Sequence, residues 1–119
     1  MSYDIYMVDP KTLQVIDFDK PHLFRGGTYA QGGITEAWLN ITYNYGGFYA
    51  KAIDPEKGIR WIYGKTGAEC LPVLEKARDQ LGVEKSSDYW EPTAGNAGHA
   101  LIGLIAFCKA RPDGIFKGD

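Results

Sequence analysis

From Tyr3 to Val8 apolar and polar side chains alternate as in a half-buried strand, Asp9-Pro10-Lys11-Thr12 supplies turn chemistry, and Leu13, Val15 and Phe18 resume the alternation. This pattern predicts an N-terminal β-hairpin. Between Pro21 and Gly33 the periodicity breaks at two glycine pairs, Gly26-Gly27 and Gly32-Gly33, and the stretch reads as a loop with room for one short strand.

Thr35 to Ile53 fits two templates. As a helix, Trp38, Ile41, Thr42, Tyr45, Phe48, Tyr49 and Ala52 form one apolar and aromatic face, with Glu36, Asn40, Asn44, Gly47 and Lys51 on the other side. As strands, Leu39, Ile41, Tyr43 and Tyr45 alternate with Asn40, Thr42 and Asn44, and Gly46-Gly47 makes a hairpin turn. The helix is favoured, because its face continues past the glycines and Thr35-Glu36 suits a helix start.

The later elements are better marked. Thr66 and Glu69 have capping-box spacing, Leu71, Leu74, Ala77 and Leu81 form a stripe, and Gly82 stands where a C-cap glycine belongs. Pro72, in the second turn, is expected to bend or loosen this helix. After a polar loop from Val83 to Trp90, Thr93 or Asn96 caps a third helix with the stripe Ala97, Ala100, Leu101, Leu104, Ile105 and Cys108. Arg111 before Pro112 ends it, and Pro112-Asp113-Gly114 turns the chain into a short tail. The sum is an α+β fold, a small N-terminal sheet packed on about three helices in a single domain spanning residues 1–119.

One stretch carries an apparent motif. Gly58 to Gly67 reads Gly-Ile-Arg-Trp-Ile-Tyr-Gly-Lys-Thr-Gly, close to a phosphate-binding P-loop, but the required spacing would put a glycine at Ile59. Ile59 to Tyr63 is better suited to a short strand, which excludes a P-loop triphosphatase. What remains is a helix start flanked by Arg60, Tyr63, Lys65 and Thr66, whose N–H groups suit a small anion. Arg25-Gly26-Gly27-Thr28 offers a second glycine loop with a guanidinium and a hydroxyl. The bland alternative is an ordinary cap and two turns.

Composition narrows the classes. The chain has 119 residues and a formal charge of −2, enough length for an unassisted core and too little positive charge for a general nucleic-acid binder. No secretory signal precedes Tyr3, and the apolar run from Ala100 to Phe107 is too short to span a bilayer, so a cytoplasmic protein without a membrane partner is expected. Cys70 and Cys108 read as buried thiols. His22, Cys70, His99 and Cys108 lack metal-site spacing, so neither metal nor cofactor is expected, and nothing in the sequence pairs a thiol with an imidazole or Glu36 with Asp113 for hydrolysis. Asn40-Ile41-Thr42 is treated as a chance sequon.

Two surfaces remain. Glu36, Asn40, Tyr43 and Asn44 share an arc if their segment is helical and could read a base or ribose, with Tyr43 or Tyr63 stacking; the alternative is a solvated face. Eight tyrosines, three tryptophans and five phenylalanines exceed what a core of this size needs, which points to a protein partner or to self-association, against the alternative of an aromatic core with exposed edges.

Arg25-Gly26-Gly27-Thr28-Tyr29, the run Thr35 to Tyr45, Gly58-Ile59-Arg60, Tyr63 to Glu69 and Arg111-Pro112-Asp113-Gly114 together resemble a widespread family of small bacteriophage and prophage proteins. The resemblance covers most of the chain from Arg25 onward, with Gly46-Gly47-Phe48 as a departure. It implies an intracellular bacterial setting during infection, where small accessory proteins often act against host defence. The resulting expectation is a non-enzymatic protein that binds or sequesters a small anionic, nucleotide-like ligand as a homo-oligomer. Arg25, Gly26, Thr28, Arg60, Lys65 and Thr66 would meet phosphate, and Glu36, Asn40, Tyr43, Asn44 and Tyr63 the base or sugar. The alternatives are an inhibitor of a host defence protein, an assembly factor and a nucleotide-cleaving enzyme.

Overall fold

The computed structural model describes residues 2–28 and 33–119. The fold is α+β: three helices and a small antiparallel sheet, with a two-stranded ribbon beside it. Strand β1 (Ser2–Val8) turns Tyr3, Ile5 and Met7 into the core, as its alternation predicts. It is the central strand, flanked by β4 (Trp38–Thr42) and β5 (Ile115–Gly118), both antiparallel to it. Ile5 stands opposite Leu39 and Met7 opposite Phe116, so the two ends of the chain build one apolar face.

The expected N-terminal hairpin is reduced to its turn. The Asp9 carboxylate accepts from the Lys11 and Thr12 N–H groups, but Val8 and Val15 form only an isolated bridge. The chain then diverges into β2 (Asp17–His22), which includes Pro21 and His22 and pairs with β3 (Ile34–Glu36). Residues 29–32 of the predicted loop lie outside the described residues. At the far end, the expected tail is strand β5, paired with β1. Arg111 ties these regions together, donating to Asp9 and Asp113, and its guanidinium is the main cause that holds the Asp9 carboxyl down at about 2.

The long helix favoured over Thr35–Ile53 does not form. Two strands occupy its first part, and after a 3-10 turn (Tyr43–Tyr45) only α1 (Gly46–Ala52) is helical. Period two prevails because β1 offers Leu39 and Ile41 a hydrogen-bonded neighbour and a core, leaving Trp38 and Asn40 half-buried on the other face. The alternative Gly46-Gly47 hairpin is also absent, since those glycines open α1. Ile59–Tyr63 likewise forms no strand. Gly58–Ile62 is a 3-10 helix, whose three-residue repeat buries Ile59 and Ile62 together.

Helix α2 (Gly67–Leu81) begins at the Thr66/Glu69 capping box and ends at Gly82, with φ 81°; Pro72 lies inside it. Helix α3 (Ala94–Ala110), capped by Thr93, is the core helix, burying Ala97, Ala100, Leu101, Leu104, Ile105, Phe107 and Cys108. It approaches the chain after α2 so closely that a Cβ at Gly98 would overlap the Gly82 carbonyl oxygen. The outer edges of the sheet are covered. Gly26 pairs with Ile41 along β4, while Gly64 and Lys65 exchange hydrogen bonds with Phe116 of β5.

Candidate functional site

The residues singled out from sequence divide into separate places. At the start of α2, Glu69 N–H donates to Thr66 Oγ1 at 3.2 Å, and Glu69 Oε1 accepts from the Thr66 N–H and hydroxyl. Gly67 N–H donates to the Gly114 carbonyl and Ala68 N–H to that of Pro112. Lys65 Nζ donates to the Trp61 carbonyl at 2.7 Å and lies 4.1 Å from the centre of its ring. The expectation of free N–H groups here is therefore corrected: the chain's own acceptors occupy those of Thr66, Gly67, Ala68 and Glu69.

Arg60 belongs to a second cluster. Its guanidinium lies 4.9 Å from the Tyr3 ring centre and 5.6 Å from that of Tyr43, while Nε donates to the Asp119 carbonyl. The Tyr63 hydroxyl is buried, with no hydrogen-bond partner among the described residues, and burial raises its pKa. Glu36 lies in the β2–β3 ribbon, where its carbonyl accepts from His22 Nε2.

The glycine loop meets a different partner. The Gly26 carbonyl accepts from Thr42 N–H at 2.7 Å and Thr28 Oγ1 donates to the Asn40 carbonyl at 3.3 Å, which lays this segment along β4. Gly26 has no room for a side chain, since a Cβ would sit 2.7 Å from the Asn40 oxygen. Gly27 has φ 77° and lies over the Tyr45 hydroxyl, which is buried without a partner among the described residues. Among those residues the Gly27 and Thr28 N–H groups have no acceptor, and the Arg25 guanidinium has no hydrogen-bond or ion-pair partner.

Facing this segment is the loop before α3. Its organiser is Asn96, fully buried, whose Oδ1 accepts from Ser86 N–H and whose Nδ2 donates to Ser86 Oγ and to the Asp88 and Glu91 carbonyls. Asn44 braces the same loop by donating to the Trp90 carbonyl at 2.9 Å. So held, the loop leaves the Trp90 side chain exposed, at 63%. Between the two segments runs a groove of about 610 Å³ whose lining includes Arg25, Gly27, Thr28, Asn40, Asp88 and Trp90. Asn40 Nδ2 is committed to Asp4 Oδ1 and the Tyr3 carbonyl, which leaves its Oδ1 as the acceptor available to a ligand.

Arg25 and Tyr89 line both this groove and a second cavity of about 420 Å³, whose lining includes Phe24, Lys85, His99 and Ile102. The Tyr89 hydroxyl donates to the Arg25 carbonyl at 2.7 Å and lies 2.8 Å from His99 Nδ1. Because the hydroxyl has one proton to give, His99 Nδ1 carries the hydrogen of the second bond. Burial is the main cause lowering the His99 pKa, with Lys85 adding to it. Cys70 and Cys108 are buried in the core, and desolvation pushes both thiols up to about 12.

Of the sequence-selected residues, Arg25, Thr28 and Asn40 line the groove; Gly26 and Asn44 support its walls. Tyr43, Arg60, Tyr63, Lys65, Thr66 and Glu36 do not line it. Sequence reasoning missed Asp88, Tyr89 and Asn96 as site residues; the one visible signal was an aromatic pair, Tyr89-Trp90, ending a polar loop. No helix among the described residues is long and apolar enough to cross a membrane. The chain matches no protein-family model, no curated protein and no solved structure.

Proposed function

We propose that the chain is a non-enzymatic binding protein that holds a small phosphorylated, nucleotide-like molecule in the groove between the glycine loop and the Trp90 loop. In a phage-infected bacterial cytoplasm such a protein would act as a sponge, withdrawing the molecule from host defence. One observation carries the reading: Arg25, Gly27 and Thr28, whose guanidinium and N–H groups have no partner among the described residues, line a groove whose other wall is a braced loop with an exposed indole. The guanidinium and N–H groups suit a phosphate, the indole suits a base, and Asn40 Oδ1 suits a hydroxyl or amino group. Its volume is in the range of small-molecule sites. A second copy closing the open side belongs to this reading, and sedimentation with and without ligand tests that part.

Calorimetric titration with a panel of linear and cyclic nucleotides tests the binding. The expected result is micromolar or tighter affinity for at least one member, weakened about tenfold or more, roughly 1.4 kcal/mol, by either Arg25→Ala or Trp90→Ala. Flat traces across the panel would overturn the reading. Protein purified from infected cells should also release the molecule intact on denaturation, whereas recovery of cleaved product would favour an enzyme.

A protein-binding reading draws support from Leu23 and Trp90, exposed at 67% and 63%. It predicts a partner recovered from infected lysate and lost on Trp90→Ala, with no nucleotide effect.

A further inference from the structure

We infer that the groove selects a ligand with a single phosphate and discriminates against the matching di- and triphosphates. This rests on the proposed nucleotide-like ligand and adds its charge class.

Among the described residues, the charged ones lining the groove are one cation, Arg25, and one anion, Asp88. A second carboxylate stands behind the Asn40 wall, where Asp4 Oδ1 accepts from Asn40 Nδ2. The other cations considered for phosphate have commitments of their own. Lys65 donates to the Trp61 carbonyl and lies over that ring, while Arg60 donates to the Asp119 carbonyl and stacks against Tyr3. Lys85 does not line the groove; it shares the second cavity with Arg25, its ammonium 5.5 Å from the Tyr89 ring centre. One guanidinium can fork across one phosphate. A second or third phosphate finds no further cation among the described residues of the lining and brings more negative charge beside Asp88, where like charges oppose binding.

Asp88 is the discriminating residue. Its carbonyl serves the Asn96 network, but its exposed carboxylate has no partner among the described residues, so changing it alone leaves the loop braced.

Calorimetry with adenosine, AMP, ADP and ATP, and with the guanosine, cytidine and uridine series, reads the selectivity. EDTA is included so that no divalent cation bridges Asp88 to a polyphosphate. In the series that binds, the monophosphate should exceed the triphosphate by about tenfold or more in affinity. Asp88→Asn should narrow the ratio to within about threefold by raising triphosphate affinity, and Arg25→Gln should lower the monophosphate to the level of the nucleoside. A triphosphate that binds as tightly as the monophosphate, or a ratio unchanged in Asp88→Asn, overturns the inference while leaving nucleotide binding intact. No binding in any series, cyclic nucleotides included, overturns both.

Discussion

The start of α2 and the groove beside β4 contain similar chemistry, glycines next to a cation and a threonine, but they differ in how much of it the fold consumes. At Gly64–Glu69 the Thr66, Gly67, Ala68 and Glu69 N–H groups have acceptors within the chain, and the lysine is bonded to Trp61. Along Arg25–Thr28 the backbone is anchored through the Gly26 carbonyl, while the guanidinium and the next two N–H groups have no partner among the described residues. Residue types alone do not make a binding site. What counts is the donor capacity left after folding, because a donor already satisfied gains little by changing partners.

The sharpest test of this contrast is the residue that braces the groove's far wall. Asn96→Leu removes an acceptor for Ser86 N–H and a donor for the Asp88 and Glu91 carbonyls in a fully buried position. We expect a loss of about 3 kcal/mol, seen as roughly 10 °C in thermal melts, with faster proteolysis of the 83–93 loop and loss of ligand binding. A stable variant that still binds would show that the loop needs no internal support.

Next in size is Gly98→Ala. Alanine normally improves a helix interior by about 1 kcal/mol over glycine. Here the added methyl would overlap the Gly82 backbone oxygen, so the expected outcome is a net loss of about 2 kcal/mol in urea denaturation. Gly47→Ala, at an exposed position of α1 with nothing within 4 Å of the new Cβ, should instead gain about 0.5 kcal/mol. Equal effects at the two sites would mean that α3 does not approach the chain after α2 this closely.

The elements that could be read from sequence are those whose signals are local. The Thr66/Glu69 box, the Gly82 stop and the stripe from Ala97 to Cys108 each depend on neighbours a few residues away, and each stands where the pattern places it. Trp38 to Thr42 fits two periods, and its strand is decided by pairing with β1, more than 30 residues distant in sequence (Ile5 with Leu39, for example). The groove is harder still. Arg25, Thr28 and Asn40 could be nominated by type, but the facing wall comes from residues 87–90, and only the folded chain sets Asn96 and Asn44 to hold it. The same reasoning explains the attention drawn by Lys65: sequence displays a lysine beside two glycines and hides the Trp61 carbonyl that occupies it.

At the α2 start the expected effects are smaller and confined to stability. Thr66→Ala removes the side chain that accepts from Glu69 N–H, a loss of about 1 kcal/mol in denaturant titration. Ligand affinity at the groove should be unchanged, because Thr66 is not among the residues that line it.

Lys65→Met is the smallest change and the most direct challenge to the comparison. Methionine retains much of the aliphatic stem over Trp61 and deletes the charge, so only the ammonium contact with the ring and the bond to the Trp61 carbonyl are lost. At a half-exposed position these are worth about 0.5 kcal/mol together, within a few degrees of melting temperature. Nucleotide titration of Lys65→Met beside Arg25→Ala then separates the regions. Full affinity in the first and a tenfold or greater loss in the second is the expected pair of results. If the lysine variant loses affinity and the arginine variant keeps it, the phosphate sits at the α2 start, and the hydrogen bonds now closing that helix must open to receive it.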